Sequence, residues 1–576
     1  MRCDPRAHRR IRAVSIRPAA DSRILLAEIG SAVIAVRLAP DGAALETTDV
    51  PAAEVAEWVG RVEVREHPRW VIRSARELYP PLLMAGVQLT KTHDLLLCHA
   101  ILRDTDVVAR PLAPSPEWLP HEPAAGEPAL FDADDRSTPE SVDELLEQYQ
   151  AQQRVIDSDR TGRLALLCAA ESAGGLVAEE MRAGGLPWDA AEHERILTEV
   201  LGARPSGGGM PAHMATYADA VRFHLGDPGL HLDSHVKLLR ALHRVGVNVE
   251  STSQRELSEI SHPVIAPLLA YKKLSRLMSA NGWAWLTEWV REGRFRPVYI
   301  PGGVVTGRWA SSGGGALQVP RMLRPAVRAD PGWMLVVADV AQLEPRMLAA
   351  MASDKSMAEA ARGQDLYAGV VASGAVATRE EAKYAVLGAM YGATTGDSGR
   401  LVPRLRKVYP RAMHRVDEAA RLGEDGGVVS TWLGRSSPKP DADWRAQQAA
   451  ATGADVDPAD VKRARARARD RGRFTRNFVV QGTAAEWALI WLAEIRHRLR
   501  QLPEAETPAP ASGPFARHAH LAFFLHDEVI LHVPAEQADA AASAVREAAA
   551  VATRRLFGTF PIDVPLDLRI VHTAEK

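Results

Sequence analysis

Cysteine is almost absent from this chain: Cys3, Cys98 and Cys168 are three in 576 residues, far apart and odd in number. That leaves neither a disulfide framework nor a zinc site, and it points to a reducing compartment. Net charge is equally slight, −2 at pH 7, so no global basic field exists and any contact with nucleic acid must come from local patches. Arginines crowd the N-terminus (Arg6, Arg9, Arg10, Arg12), yet no apolar stretch follows them, which argues against a signal peptide. No apolar run is long enough to span a membrane. The expectation is a cytoplasmic protein with no membrane partner. What the chain does have is 46% apolar and 25% charged residues, the balance of a protein that buries large cores, and length for about three to five compact units.

Residues 13–103 alternate short apolar runs with helical stretches and read as a small α/β unit. Residues 110–140 are rich in Pro, Ala, Glu and Asp and read as a linker. Helices resume near Ser141, and 164–182 is a long alanine-rich helix that enters a second unit. Residues 236–282 are helical again, with a polar break at 251–253 and Lys or Arg at several turns. A third basic block, VKRARARARDRGRFTR at 461–476, follows a helix-start signal, Asp457 as cap and Pro458 next. Its basic residues fall at every second position, so they wrap around a helix and do not form one stripe. With few acids to pair them, phosphate contact is the expected use.

The rest is organised around residues 334–350, MLVVADVAQLEPRMLAA. A valine-rich run of strand length ends in one carboxylate, Asp339; from Gln342 the spacing turns helical, with Leu343, Met347 and Leu348 on one side. A carboxylate closing a strand buried on both faces is costly unless paired or metal-bound. Asp339 is therefore expected at a strand tip facing something cationic; a plain helix-capping aspartate is the alternative from this stretch alone. Far downstream, HLAFFLHDEVILHVP (520–534) sets two apolar runs about Asp527 and Glu528, where a tight hairpin would turn. Two strand tips that each present a carboxylate suit a two-metal site. Ions about 3.5–4 Å apart clamp the attacking and leaving oxygens of a phosphoryl transfer.

Between the two acids, TREEAKYAVLGAMYG (378–392) begins with a capping box, Thr378 and Glu381. Arg379, Lys383, Leu387 and Tyr391 then share one helix face. Two cations, an apolar residue and a phenol make a poor core. They suit a ligand with phosphates at one end and a sugar and base at the other; a charged surface helix is the alternative.

DVAQLEPR (339–346) and HDEV (526–529), with this helix between them, resemble the acidic motifs of family A DNA polymerases, the DNA polymerase I kind. The similarity runs from about Ala170 to the C-terminus and more faintly before it. It implies a multidomain α/β and α+β fold. Residues 1–165 would be a ribonuclease-H-like, 3′–5′ exonuclease-type domain containing the 110–140 linker, and 166–576 a right-hand polymerase. Within that hand the palm would take 166–225, 290–355 and 476–576, the thumb 226–289 and the fingers 356–475. The implied activity is template-directed, DNA-dependent DNA synthesis from a primer 3′ end, in repair or replication. The implied partners are primer–template DNA, deoxynucleoside triphosphates and two Mg²⁺ ions, or Mn²⁺ in their place, on a monomer.

By the same resemblance Asp339 and Asp527 hold the metals, with Glu528 beside them in catalysis. Arg379 and Lys383 hold the triphosphate, and Lys383 protonates the leaving pyrophosphate. Tyr391 closes against the templating base pair, and Leu387 stands where the family has an aromatic ring. Glu344 is the steric gate under the 2′ carbon, with Gln342 and His526 also at the nucleotide. Thr306-Gly307-Arg308 with Leu317-Gln318 is similar to a TGR…LQ segment whose arginine meets the primer terminus; Ala316 replaces an asparagine there. Arg473, Asn477 and Gln481 match a helix that touches template and primer, where minor-groove acceptors barely differ among base pairs. Lys272 and Lys273 lie in a pattern similar to the thumb that grips the product duplex.

The first unit departs from its own pattern. It keeps Glu28 but has no acid two positions earlier, it has Asp94 as the middle acid, and it pairs Tyr149 with Gln153 where an aspartate is required. The expectation is an exonuclease fold without its activity, and with no 5′-nuclease domain before it. Two rival readings stand beside the polymerase. A single-subunit RNA polymerase shares the acid–helix–acid layout, but Glu344 and Gln342 favour the DNA enzyme. A catalytically inactive DNA-binding or scaffolding homologue is the other.

Overall fold

The computed structural model describes residues 22–29, 32–118, 141–315, 319–363, 365–392, 396–452 and 457–575. The N-terminal arginines, Cys3, most of the expected linker, Ala316, Leu317 and Gln318 lie outside them.

Five strands open the fold: β1 (Arg23–Ile29), β2 (Ala32–Leu38), β3 (Ala44–Pro51), β4 (Arg69–Ile72) and β5 (Lys91–Asp94), in the order β3-β2-β1-β4-β5. The first three form an antiparallel meander, while β4 and β5 run parallel to β1. Parallel neighbours need long crossovers, supplied here by α1 (Val55–Glu66) and α2 (Ala75–Met84). Alternation along β1 sends Ile24 and Leu26 into the core under these helices. Leu25 and Ala27 go to the other face, against α3 (Leu95–Asp104) and α4 (Val142–Ser158). This is the α/β unit expected at the N-terminus.

Helix α5 (Arg163–Gly184) joins that unit to the rest. A β-carbon on Gly174 would stand 3.0 Å from Leu489, and one on Gly175 3.2 Å from Ala75, so adjacent glycines let both units close onto one helix. The expected boundary at 165/166 falls in the first turn of this helix.

Next come α6 (Ala190–Leu201), α7 (Ala212–Leu225), α8 (His235–Arg244), α9 (Gln254–Ser258), α10 (Ile265–Asn281) and α11 (Trp283–Trp289). Short strands β6 (Leu186–Pro187), β7 (Val290–Arg291) and β8 (Arg294–Phe295) form a small sheet, and β9 (Val298–Ile300) pairs with β10 (Ala310–Gly313). The central strand β11 (Trp333–Val340) leads into α12 (Leu343–Met351). An all-helical stretch follows, α13 (Lys355–Ala360), α14 (Leu366–Ala372), α15 (Arg379–Tyr391), α16 (Gly396–Val408), α17 (Pro410–Glu424) and α18 (Ala442–Ala450).

Helix α19 (Pro458–Leu499) then runs 42 residues without a break. The chain closes with β12 (His520–Leu525), β13 (Glu528–Pro534), α20 (Ala538–Phe557) and β14 (Leu566–Val571). The central sheet is β12-β13-β11-β14, antiparallel throughout.

The expected boundary at 475/476 falls within the continuous helix α19, because nothing in 470–480 stops a helix and Phe478 to Leu492 is apolar enough to carry it into the core. The same helix contains an 18-residue window apolar enough to cross a membrane by composition, although 83% of that window is buried inside the protein. Trp487 and Trp491 are fully buried there, donating to Thr553 Oγ1 and to the Val545 carbonyl of α20. It is a core helix.

Candidate nucleotide and metal site

The site is built on the strand tips of the central sheet. β11 and β13 pair in register up to Asp339 opposite Glu528, and Leu525 pairs with Glu528 across a two-residue turn made of His526 and Asp527. His526 takes φ 57°, the left-handed conformation a tight turn requires of one residue. The Val340 amide donates to the Asp527 carbonyl at 3.0 Å, which locks the two tips together. Asp527 is pushed up to about 6, first by burial and next by the negative charge of Asp339. A carboxyl held up by a neighbouring negative charge is one whose ionised form a cation would favour. Asp339 is in the strand and not a cap; the residue before α12 is Gln342, with φ 48°.

A cleft of about 270 Å³ opens beside Asp527. It gathers Arg308, Gln342, Glu344, Leu387, Tyr391, His526 and Asp527 from segments up to about 220 residues apart. Glu344 is held twice: Arg308 pairs with Oε1, and the Tyr391 phenol donates to Oε2 at 2.6 Å. Burial and then this bond raise the Tyr391 pKa, and Gln481 also hydrogen-bonds the phenol. Gln342 accepts from the Leu366 amide at 3.1 Å and so ties α12 to α14. His526 is lowered by burial and then by nearby Arg308.

The Thr378 cap of α15 forms, with Glu381 N–H donating to Thr378 Oγ1 at 3.1 Å, while the Glu381 carboxylate reaches back one residue further and accepts from Ala377 N–H at 2.9 Å. Ala382, Ala385, Val386, Ala389 and Met390 are buried on one face, so Arg379, Lys383, Leu387 and Tyr391 stand on the other. Leu387 and Tyr391 reach the cleft; Arg379 and Lys383 continue the row toward the helix N-terminus and are exposed. Arg379 is parked on Asp365 at 2.6 Å and lies 5.7 Å from the ring centroid of Tyr367, which lines the cleft. Neither Asp365 nor Tyr367 had a pattern that marked it in the sequence.

Several expected residues have other work. Glu528, grouped above with the catalytic acids, is 4% exposed and gives both oxygens to Arg324, at 2.9 and 2.6 Å. Charge pairing across 204 residues turns it into an anchor for the hairpin. Lys272 donates to Thr252 Oγ1 at 2.7 Å and to the Thr252 carbonyl, with its pKa lowered by burial, so it fastens the 251–253 break; Lys273 beside it is exposed. Arg473 is exposed and paired with Asp470, and the Asn477 Oδ1 is buried without a partner among the described residues. Gln318 lies outside the described residues.

The basic block of α19 does wrap around the helix, but one side is spent. Arg467 bonds Gln447 of α18, and Arg471 bonds the carbonyls of Gly427 and Pro438. Lys462, Arg465, Arg469 and Arg473 are exposed. Together with Asn477 and Gln481 they make a slowly winding row about 28 Å long, at 1.5 Å per residue, that ends at Tyr391.

In the first unit Asp94 caps α3, accepting from Leu97 N at 3.0 Å and Ala75 N at 2.7 Å, and burial pushes it up to about 7. Glu28 stands at the surface, its pKa raised first by partial desolvation and then by the charge of Glu77. Tyr149 accepts from Arg23, and the amide the fold buries is Gln152, on His93, with Gln153 half-buried beside it.

Residues 234–574 match the family model described as DNA polymerase family A. A thermostable DNA polymerase I from Thermus filiformis is 26% identical over 350 residues, 56% of this chain and 37% of that protein. A DNA polymerase I from Chloroflexus aurantiacus is 27% identical over 367 residues, 59% of this chain and 35% of that protein. The chain thus spans little more than a third of these relatives' length. Among solved structures, the POL domain of Pol1 from M. smegmatis, in complex with DNA primer-template and dNTP, superposes with a TM-score of 0.67 over 96% of each chain at 17% identity.

Proposed function

The chain belongs to DNA polymerase family A, and from that premise we propose that it extends a primer 3′ end on a DNA template with deoxynucleoside triphosphates, working as a monomer. One observation carries the reading. The cleft brings the paired strand-tip acids, the doubly held Glu344 and the outward face of α15 onto one side of the palm sheet. Mg²⁺ usually keeps several waters and binds through one or two carboxylates plus substrate phosphates. Asp339 and Asp527 fit that donor set, and their mutual repulsion is the charge such an ion would relieve. Bound there, Mg²⁺ would acidify the primer hydroxyl and neutralise charge on the triphosphate.

This chain's own residues then do the positioning. Arg379 and Lys383 take the triphosphate at the N-terminal end of α15, where the helix dipole also favours an anion. Arg379 exchanges Asp365 for phosphate, and Lys383 delivers a proton to the departing pyrophosphate. Leu387 and Tyr391 pack on the sugar and base. Glu344, fixed in place by Arg308 on one oxygen and Tyr391 on the other, leaves no room for a 2′-hydroxyl. Positioning and charge stabilisation are most of what phosphoryl transfer needs.

We assign the palm to the sheet β12-β13-β11-β14 with β7 to β10 and α20. The thumb is α8 to α11, and the fingers are α13 to α18 with the basic half of α19. The first unit we read as an exonuclease fold without activity, because Asp94 is used as a cap and Gln153 replaces an acid. The test is extension of a primer opposite each of the four templating bases. Incorporation of only the complementary deoxynucleotide, dependent on Mg²⁺, is expected; addition without regard to template, or a preference for ribonucleotides, would overturn it.

A further inference from the structure

Beneath the turn that carries Arg308 lies a second group of buried polar side chains. Residues 429–437 fold back on themselves, Thr431 N–H to Arg435 O at 2.9 Å and Ser437 N–H to Val429 O at 2.8 Å. From this loop Arg435 reaches down to Glu171 of α5, Nη2 to Oε2 at 2.5 Å, with side chains 10% and 1% exposed. Glu486 of α19 holds the loop from below, accepting from the Thr431 hydroxyl and from Leu433 N at 3.0 Å. Both acids are fully buried and both sit by the one arginine.

The turn at 302–308 rests on this pair. Gly302 and Gly307 have φ +61° and +85°. A β-carbon on Gly307 would stand 2.5 Å from Arg435 Nε, and one on Gly302 2.6 Å from Glu171 Oε1. Only a bare backbone can lie on that surface. Gly307 N–H to Val304 O at 2.7 Å, with Val304 N–H to Arg308 O at 3.1 Å, closes the turn and fixes where Arg308 leaves it. Arg308 then pairs with Glu344, which accepts from Tyr391. A flat guanidinium is a floor for a peptide backbone; a lysine ammonium is a point charge on a flexible stem and is not.

We infer that the Glu171–Arg435 pair is a positioning device for sugar selection: it sets the height of the 302–308 turn, hence the place of Arg308, hence the fit of Glu344 under the incoming sugar. Neither residue touches the cleft. The inference rests on the polymerase reading of that cleft and adds to it two residues that act only through Arg308.

The experiment compares kcat/KM for a deoxynucleotide and its ribonucleotide on one primer–template, for the wild-type full chain and for Arg435→Lys. The deoxy-to-ribo ratio should fall about three- to tenfold, the range of one weakened hydrogen bond, while the dissociation constant for primer–template stays within about twofold, since it rests on distributed phosphate contacts. In an Arg308→Ala background the same substitution should leave the ratio where Arg308→Ala alone puts it, because the two act in series. Should Arg435→Lys not fold, Glu171→Gln keeps an acceptor for Arg435 without the charge and is read the same way, with a smaller fall expected. A soluble variant with lowered stability but an unchanged ratio would overturn the positioning role, as would a full additional effect over Arg308→Ala. Absence of templated extension by the wild type would instead sink the polymerase reading itself.

Discussion

Removing the Tyr391 hydroxyl tests the gate with the least disturbance. In Tyr391→Phe the ring stays, so packing on the sugar and base is kept, but Glu344 loses the bond at 2.6 Å and retains only Arg308. A hydrogen bond to a charged group contributes about 1.5–3 kcal/mol, equivalent to a factor of roughly ten to over a hundred. Since Arg308 still holds the other oxygen, the lower end applies: discrimination against ribonucleotides should drop about tenfold. Deoxynucleotide kcat/KM should change by less than about threefold, because no contact made to the deoxy sugar is lost. Single-turnover insertion of matched deoxy and ribo substrates on one template measures both. A ratio equal to wild type, with Glu344→Ala equally silent, would show that this carboxylate does not lie under the sugar.

Leu387 lines the cleft one turn before Tyr391, so Leu387→Phe should lower nucleotide KM a few-fold to tenfold, from about 0.5–1.5 kcal/mol of aromatic packing. Identical KM and identical sugar ratios would place it off the nucleotide. No excision from a mismatched 3′ end is expected of the purified chain, even over hours with Mg²⁺; excision that survives Asp339→Asn but disappears in Asp94→Ala would reverse this. Burial lowers His520 to about 4 from 6.5, so the folded state resists its protonation while the unfolded state does not. Stability from neutral His520 is complete above the unfolded value and is lost as pH falls from 6.5 toward 4, by about 2 kcal/mol at pH 5. Thermal melts of His520→Phe should therefore show a shallower fall between pH 7 and 5 than wild type, and parallel curves would refute it.

What the sequence reveals is what neighbours in the chain decide. The change from an apolar strand run to helical spacing at Gln342 and the caps Thr378 and Asp457 are each set by a few adjacent residues and form as read. The hairpin expected about Asp527 and Glu528 turns one residue earlier, at His526-Asp527, with Glu528 already in the strand. The cleft residues were legible because motifs carry them, and seven expected ones do meet there. Long-range charge pairing was not legible. Glu528 sits in an acidic pair along the chain, and nothing local says that Arg324 takes it. Lys272 reads as a free cation until Thr252 folds against it. The even spacing of the α19 arginines hides which side α18 covers. The apolar run after Arg476 carries α19 through an expected boundary because helix continuation costs little once a core is there to receive it.

The central claim is that Asp339 and Asp527 serve chemistry and not binding. Asp339→Asn and Asp527→Asn should each abolish templated extension in saturating Mg²⁺ while primer–template affinity, measured by fluorescence anisotropy at fixed salt, stays within a few-fold of wild type. Near wild-type turnover in either variant would contradict the account, as would loss of extension that merely follows a matching loss of DNA binding.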